Sequence, residues 1–148
     1  MREYTIKRVN AGSKNIDWES IPALAIDNHQ WLPPSSISAF AKLCYDDGFL
    51  YVRLTANEEH ILKRFSGICD PVSRDSCLEF FFSPIWCDMR YLNMEFNPNA
   101  AMYIGFGRNR YDLVRQIVQD AKNFFKAECL SFDKGWGISY AIPFEWIR

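Results

Sequence analysis

The sequence has no block of like charge. Its 17 Lys and Arg residues are interspersed with 18 Asp and Glu, leaving a net charge of −1. A nucleic-acid face needs clustered cations to neutralise phosphates, so no nucleic-acid partner is expected. No apolar stretch approaches a membrane span, and Met1-Arg2-Glu3-Tyr4 lacks the apolar core of a secretory signal. As written, the chain reads as soluble and cytoplasmic. A fragment of a larger secreted protein, acting outside the cell, would look the same. Histidine is scarce, with only His29 and His60. The five cysteines (Cys44, Cys69, Cys77, Cys87 and Cys129) contain no CxxC pair, which argues against a zinc ribbon or a thioredoxin-like motif. Cys77 and Cys129 sit in strand-like runs and read as small buried hydrophobes. Internal repeats and low-complexity segments are also absent.

Aromatic residues, by contrast, are abundant: 12 Phe, 7 Tyr and 5 Trp in 148 residues. That richness suits a thick β core or stacking sites. The length fits one domain over residues 1–148. Tyr4 to Val9 reads as a short strand closed by Asn10-Ala11-Gly12-Ser13. Residues 17–25 could start one helical turn, which Pro22 keeps short. Residues 37–45 and 49–56 alternate about the turn Asp46-Asp47-Gly48 and read as a hairpin, with Leu50, Val52 and Leu54 inward and Tyr51, Arg53 and Thr55 outward. Residues 57–65 read as a short helix. Ala101 to Phe106 is another strand, and residues 111–119 fit either strand or helix. Gly105-Phe106-Gly107 lacks the following helix that phosphate binding needs. Phe124 to Phe132 and Trp136 to Ile142 form a last hairpin. Many short strands with one to three brief helices predict an all-β sandwich, jelly-roll-like in character.

The most informative stretch is residues 74–97. Leu92, Met94 and Phe96 alternate without a fault against Tyr91, Asn93, Glu95 and Asn97, as in a strand with one buried face. Glu79 interrupts the aromatic run Leu78-Glu79-Phe80-Phe81-Phe82 at a position that cannot face a core. If the two runs pair as an antiparallel hairpin, Glu79 joins the polar row. Short amides and carboxylates beside aromatics offer fixed hydrogen-bonding groups next to an apolar platform, which hydroxyl-rich ligands need. An ordinary wet sheet face accounts for the same alternation. Arg53 could reach such a ligand or form a surface ion pair, and Trp86, in the loop between the runs, is the best exposed stacking candidate. Trp18, Trp136 and Trp146 read as core. Arg74 and Asp75 are expected to pair or to brace the preceding loop.

Several stretches resemble the family-nine carbohydrate-binding modules, over roughly residues 37–148. They are Tyr45-Asp46-Asp47 followed by Leu50-Tyr51-Val52, the Asp75-Ser76-Cys77-Leu78-Glu79-Phe80-Phe81 signature, the strand Tyr91-Leu92-Asn93-Met94-Glu95-Phe96-Asn97, and Gly135-Trp136 leading to Ile142-Pro143-Phe144. The resemblance implies a β-sandwich that binds sugars without catalysis, with Glu79, Glu95 and Asn97 hydrogen-bonding sugar hydroxyls. The best-known members grip the sugar between two tryptophans. One position is Val72 here, and the other follows the Ile-Pro-Phe turn, beyond which this chain runs only four residues past Phe144. A second aromatic is therefore expected from Trp86 or Trp31, or the chain is truncated.

Two other function classes fit parts of the sequence. Glu79 and Glu95 could form the carboxylate pair of a glycoside hydrolase. A haem or redox domain can share the sandwich architecture, but His29 and His60 lie in polar surroundings and no CxxCH is present. No cofactor is expected, although Asp46, Asp47, Asp70 and Asp75 could ligate calcium. A mono- or oligosaccharide is the expected partner, with the oligomeric state open. On this reading, Glu95→Ala and Asn97→Ala lose affinity at unchanged melting temperature.

Overall fold

The computed structural model describes residues 3–10, 16–29 and 36–148. Trp31 and the Pro33-Pro34 pair fall outside them, as does most of the turn expected after Asn10.

Among the described residues, ten strands form two sheets: β1 (Lys7–Arg8), β2 (Leu24–Ile26), β3 (Ser38–Tyr45), β4 (Phe49–Asn57), β5 (Leu78–Phe82), β6 (Tyr91–Phe96), β7 (Met102–Gly107), β8 (Val114–Arg115), β9 (Glu128–Phe132) and β10 (Gly135–Pro143). The larger sheet runs β1-β3-β4-β10-β9, with β2 also pairing β3, and the smaller runs β5-β6-β7-β8. The sandwich expected from the sequence is what the chain forms. Among the described residues, helix is confined to α1 (Ala121–Phe124) and single 3₁₀ turns at Val72–Arg74 and Phe144–Trp146.

The inward rows that alternation assigns meet between the sheets. Val52 and Leu54 from β4, and Ile138, Tyr140 and Ile142 from β10, pack with Leu92, Met94 and Phe96 from β6 and Ile104 from β7. Phe96 and Tyr140 bring their ring centroids to 4.4 Å. Trp136 is buried in this core, and Trp146 packs against it. Trp18 instead joins Ile21 and Cys44 in a small separate cluster. That cluster covers the outer face of the larger sheet, because Cys44 lies on the parity opposite to Leu43.

The turn before β4 is built by Asp46. Its Oδ1 accepts the amides of Gly48 (2.8 Å) and Phe49 (2.9 Å), and its Oδ2 accepts the Tyr51 hydroxyl (2.7 Å). Glu58 locks the sandwich further along, accepting Ser76 Oγ at 2.7 Å and Trp136 Nε1 at 2.9 Å.

Some local expectations fail. Residues 58–71 contain no helix. The Ser76 hydroxyl and the Asp75 carboxylate instead tie this segment down as loop, taking the amides of Leu62, Arg64 and Phe65. Asp75 does brace the preceding loop, one of the two roles expected of it, and its ion pair is with Arg64 rather than with Arg74. Burial works against its ionisation, but those hydrogen bonds outweigh it and hold the carboxyl below its ordinary range. Cys129 is exposed and Cys77 only half-buried, leaving Cys44 as the buried thiol.

Candidate functional site

The two runs that organise the sequence pair as antiparallel neighbours at the edge of the smaller sheet. Glu79 stands opposite Glu95, Phe81 opposite Asn93, and Phe82 opposite Leu92. On the other side of β6, Asn93 stands opposite Gly105 and Glu95 opposite Tyr103. Gly105 in turn faces Arg115 on β8. Because β6 buries Leu92, Met94 and Phe96, strand parity sends Glu79, Phe81, Tyr91, Asn93, Glu95, Tyr103 and Arg115 to the outer face.

Glycine gives this face its shape. A Cβ on Gly105 would stand 2.8 Å from Tyr103 Oη and 2.9 Å from Tyr103 Cε1. The phenol therefore lies along the sheet, over the space that the missing side chain leaves. The Arg115 guanidinium sits 4.9 Å from the centre of that ring and donates to the carbonyls of Cys69 (3.0 Å) and Asp70 (3.1 Å). It thereby ties the loop before Val72 to the rim of the face. At the opposite end, Phe81 and Tyr91 hold their ring centres 5.8 Å apart.

Glu79, Glu95 and Cys77 have ligand atoms within 4.8 Å of one another. Neither glutamate has a cationic partner at ion-pair distance among the described residues. Burial raises the Glu79 pKa. Burial and the Glu79 charge push Glu95 up to about 7, opposed by the Asn93 hydrogen bond and by Arg115. Asn93 Nδ2 donates to Glu95 Oε1 at 2.9 Å. The Asn93 side chain is buried, and its carbonyl oxygen has no donor. Cys77 stays a thiol, because burial and both glutamates raise its pKa.

Five of the seven sequence candidates relate to this face: Glu79, Tyr91, Asn93 and Glu95 lie on it, and Trp86 is 93% exposed in the loop at its Phe81–Tyr91 end. Two do not. Arg53 is on β4, in the other sheet, with its guanidinium 4.4 Å over the Trp18 ring. Alternation assigned it the correct parity, but parity does not tell which sheet a strand joins. Arg53→Ala should accordingly leave saccharide affinity unchanged in titration calorimetry. Asn97 is fully buried. The strand ends at Phe96, the chain turns through Ala100 at φ 56°, and the Asn97 amide points into the molecule.

Phe81, Tyr103 and Arg115 were missed. The alternation of Met102-Tyr103-Ile104-Gly105 does mark Tyr103 as outward, whereas Arg115 belongs to a two-residue strand with no periodic signal. Val72 is buried at 1% exposure, so no stacking residue stands at that position. The four aspartates suggested for calcium do not converge. Asp46 caps a turn, Asp47 pairs with Arg8, Asp70 accepts the amides of Ser66 and Gly67, and Asp75 braces the loop. Among the described residues, no helix is long and apolar enough to cross a membrane.

The model of carbohydrate-binding family 9 matches residues 10–146. No curated protein matches the chain. Among solved structures, a Bacteroides uniformis protein assigned to carbohydrate binding superposes with a TM-score of 0.78 at 20% identity, covering 95% of this chain and 73% of the other. A family-9 module from Caldicellulosiruptor kristjanssonii in complex with cellotriose gives 0.61 at 13% identity, covering 93% of this chain and 65% of the module's. A further family-9 structure from that organism, in complex with glucose, gives 0.57 at 15% identity, with 93% and 68% covered. This chain thus spans about two thirds of the length of those modules.

Proposed function

This chain belongs to carbohydrate-binding family 9, and from that premise we propose that the outer face of β5–β8 holds a saccharide and does not cleave it. The observation that carries this reading is the arrangement around Asn93. Asn93, whose nitrogen donates to Glu95 and whose buried carbonyl oxygen has no donor, stands on the face that also carries Glu79, Phe81, Tyr91 and Tyr103. Sugar hydroxyls supply the missing donors, and the apolar face of a pyranose ring covers an aromatic. Glucose and cellotriose, the ligands of the Caldicellulosiruptor structures, are the natural first probes.

The strand register supports binding without cleavage. A glycosidase places its two carboxyls on opposite sides of the scissile bond. Glu79 and Glu95 are side-by-side neighbours on one sheet, so both address the same side of a sugar lying there. Aryl glycosides and oligosaccharides should remain intact on incubation.

A few neutral hydrogen bonds at about 0.5–1.5 kcal/mol each, set against the cost of association, put the affinity in the micromolar to millimolar range. Asn93→Ala should weaken cellotriose binding about tenfold in calorimetry, which is one hydrogen bond of roughly 1.4 kcal/mol. Unchanged affinity in that variant would move the site off this face. Trp86→Ala should leave the melting temperature unchanged, because a ring this exposed contributes no burial. Any affinity lost in that variant therefore reports stacking.

A further inference from the structure

Two carboxylates held side by side, partly withdrawn from water and without a cationic partner, lack a positive charge. The closest cation on the face is Arg115, which is committed to the Tyr103 ring and to the carbonyls of Cys69 and Asp70. Tyr103 and Tyr91 offer phenols to the same face, and Cys77 a protonated thiol. None of these brings a compensating charge to Glu79. Beside the pair, the Asn93 side chain is 3% exposed and its carbonyl oxygen has no donor, while its nitrogen is already given to Glu95. The pair therefore presents two carboxylates side by side with no cation between them.

We propose that this face prefers an amino sugar, whose ammonium group sits between Glu79 and Glu95, beside the buried Asn93 amide that holds Glu95 in place. The proposal rests on the saccharide reading above and narrows its ligand class. An ammonium carries three donors and one positive charge, which matches the carboxylate oxygens of Glu79 and Glu95 and their uncompensated negative charge. A neutral hydroxyl at the same place supplies one donor and no charge. A uronic acid brings a third carboxylate to the pair and is repelled. An N-acetylated sugar keeps the shape but loses the charge and two of the three donors.

The test is titration calorimetry at pH 7 in EDTA-containing buffer, which removes any adventitious metal from the carboxylates. The probes are cellobiose, the β-1,4 disaccharide of glucosamine, its N-acetylated form and a glucuronic acid disaccharide. The glucosamine disaccharide should bind about tenfold tighter than cellobiose, a modest gain because solvent still reaches Glu79. The N-acetylated form should lose that gain, and the uronic acid should bind worst. Raising salt from about 0.05 to 0.5 M should erode the preference, because exposed charges are screened over a few ångströms at that strength. The double variant Glu79→Gln with Glu95→Gln, nearly isosteric and checked by its melting temperature, should abolish it. Equal binding of glucosamine and cellobiose disaccharides overturns the amino-sugar preference and leaves the carbohydrate reading standing, as does a preference that ignores salt. Binding of none of the four overturns both.

Discussion

Asn97→Ala should melt about 10 °C below the parent protein and, once folded at a lower temperature, should bind saccharide with unchanged affinity. The Asn97 amide makes four contacts. Its Nδ2 donates to Phe65 O at 2.8 Å and to Asp75 Oδ2 at 2.9 Å, and its Oδ1 accepts the amides of Asn99 and Ala101, each at 3.1 Å. It joins the loop before Val72 to the turn after β6, with Asp75 as the third member. Truncation leaves the backbone amides of Asn99 and Ala101 without their partner inside the fold, whereas Phe65 O keeps Asn99 Nδ2 and Asp75 Oδ2 keeps the amides of Arg64 and Phe65. Each unsatisfied buried group costs about 1–3 kcal/mol, partly relieved by water entering the gap. A total near 3–4 kcal/mol is reasonable, and a domain of this size loses about 2–4 °C per kcal/mol. The sequence pattern led to the opposite expectation, lost affinity at constant stability. A melting temperature within 2 °C of the parent, together with lost binding, would restore Asn97 to the sugar face.

This reversal shows what residue spacing can and cannot carry. The alternation of Tyr91 to Phe96 placed three polar side chains, Tyr91, Asn93 and Glu95, on the correct side of the sheet, because a strand with one buried face has no other register that keeps Leu92, Met94 and Phe96 dry. It failed one residue later, where β6 ends and parity has no meaning. The hairpin of β3 and β4 was equally legible, since its turn chemistry and alternation agree. Arg53 was assigned its correct side and the wrong sheet, because pairing order is set by contacts far apart in sequence. The helix expected over residues 57–65 was lost to tertiary hydrogen bonds, when Ser76 and Asp75 took the amides that a helix would have used. Arg115 left no trace in the sequence pattern. Its position follows from Gly105 and Phe106 on the neighbouring strand, and its role follows from the space above Gly105 that Tyr103 fills.

The acidic pair should make this protein less stable at mildly alkaline pH than at mildly acidic pH, and Glu95→Gln should remove the difference. Glu95 has its pKa raised from 4.5 to about 7 in the fold, and Glu79 is raised in the same direction. Each is therefore favoured as the neutral acid in the folded chain relative to the unfolded one. Below pH 4.5 both states are protonated and the arrangement costs nothing. As pH rises through about 7, the folded protein must hold two carboxylates side by side without a counterion, and stability falls. The lowered groups, Asp46, Asp75 and Asp88, titrate below pH 3.8 and do not affect this window. After discounting for the solvent that reaches Glu79, the penalty at pH 8 is about 1–2 kcal/mol. Glu95→Gln keeps the acceptor oxygen, removes the charge and supplies an NH₂ donor toward Glu79. At pH 8 it should melt about 3–6 °C above the parent, with the gap closing toward pH 5. A stabilising substitution at a face poised for a ligand fits a site that gives up stability for binding. If Glu95→Gln melts no higher than the parent at pH 8, the two carboxylates are separately solvated and no cation is missing between them.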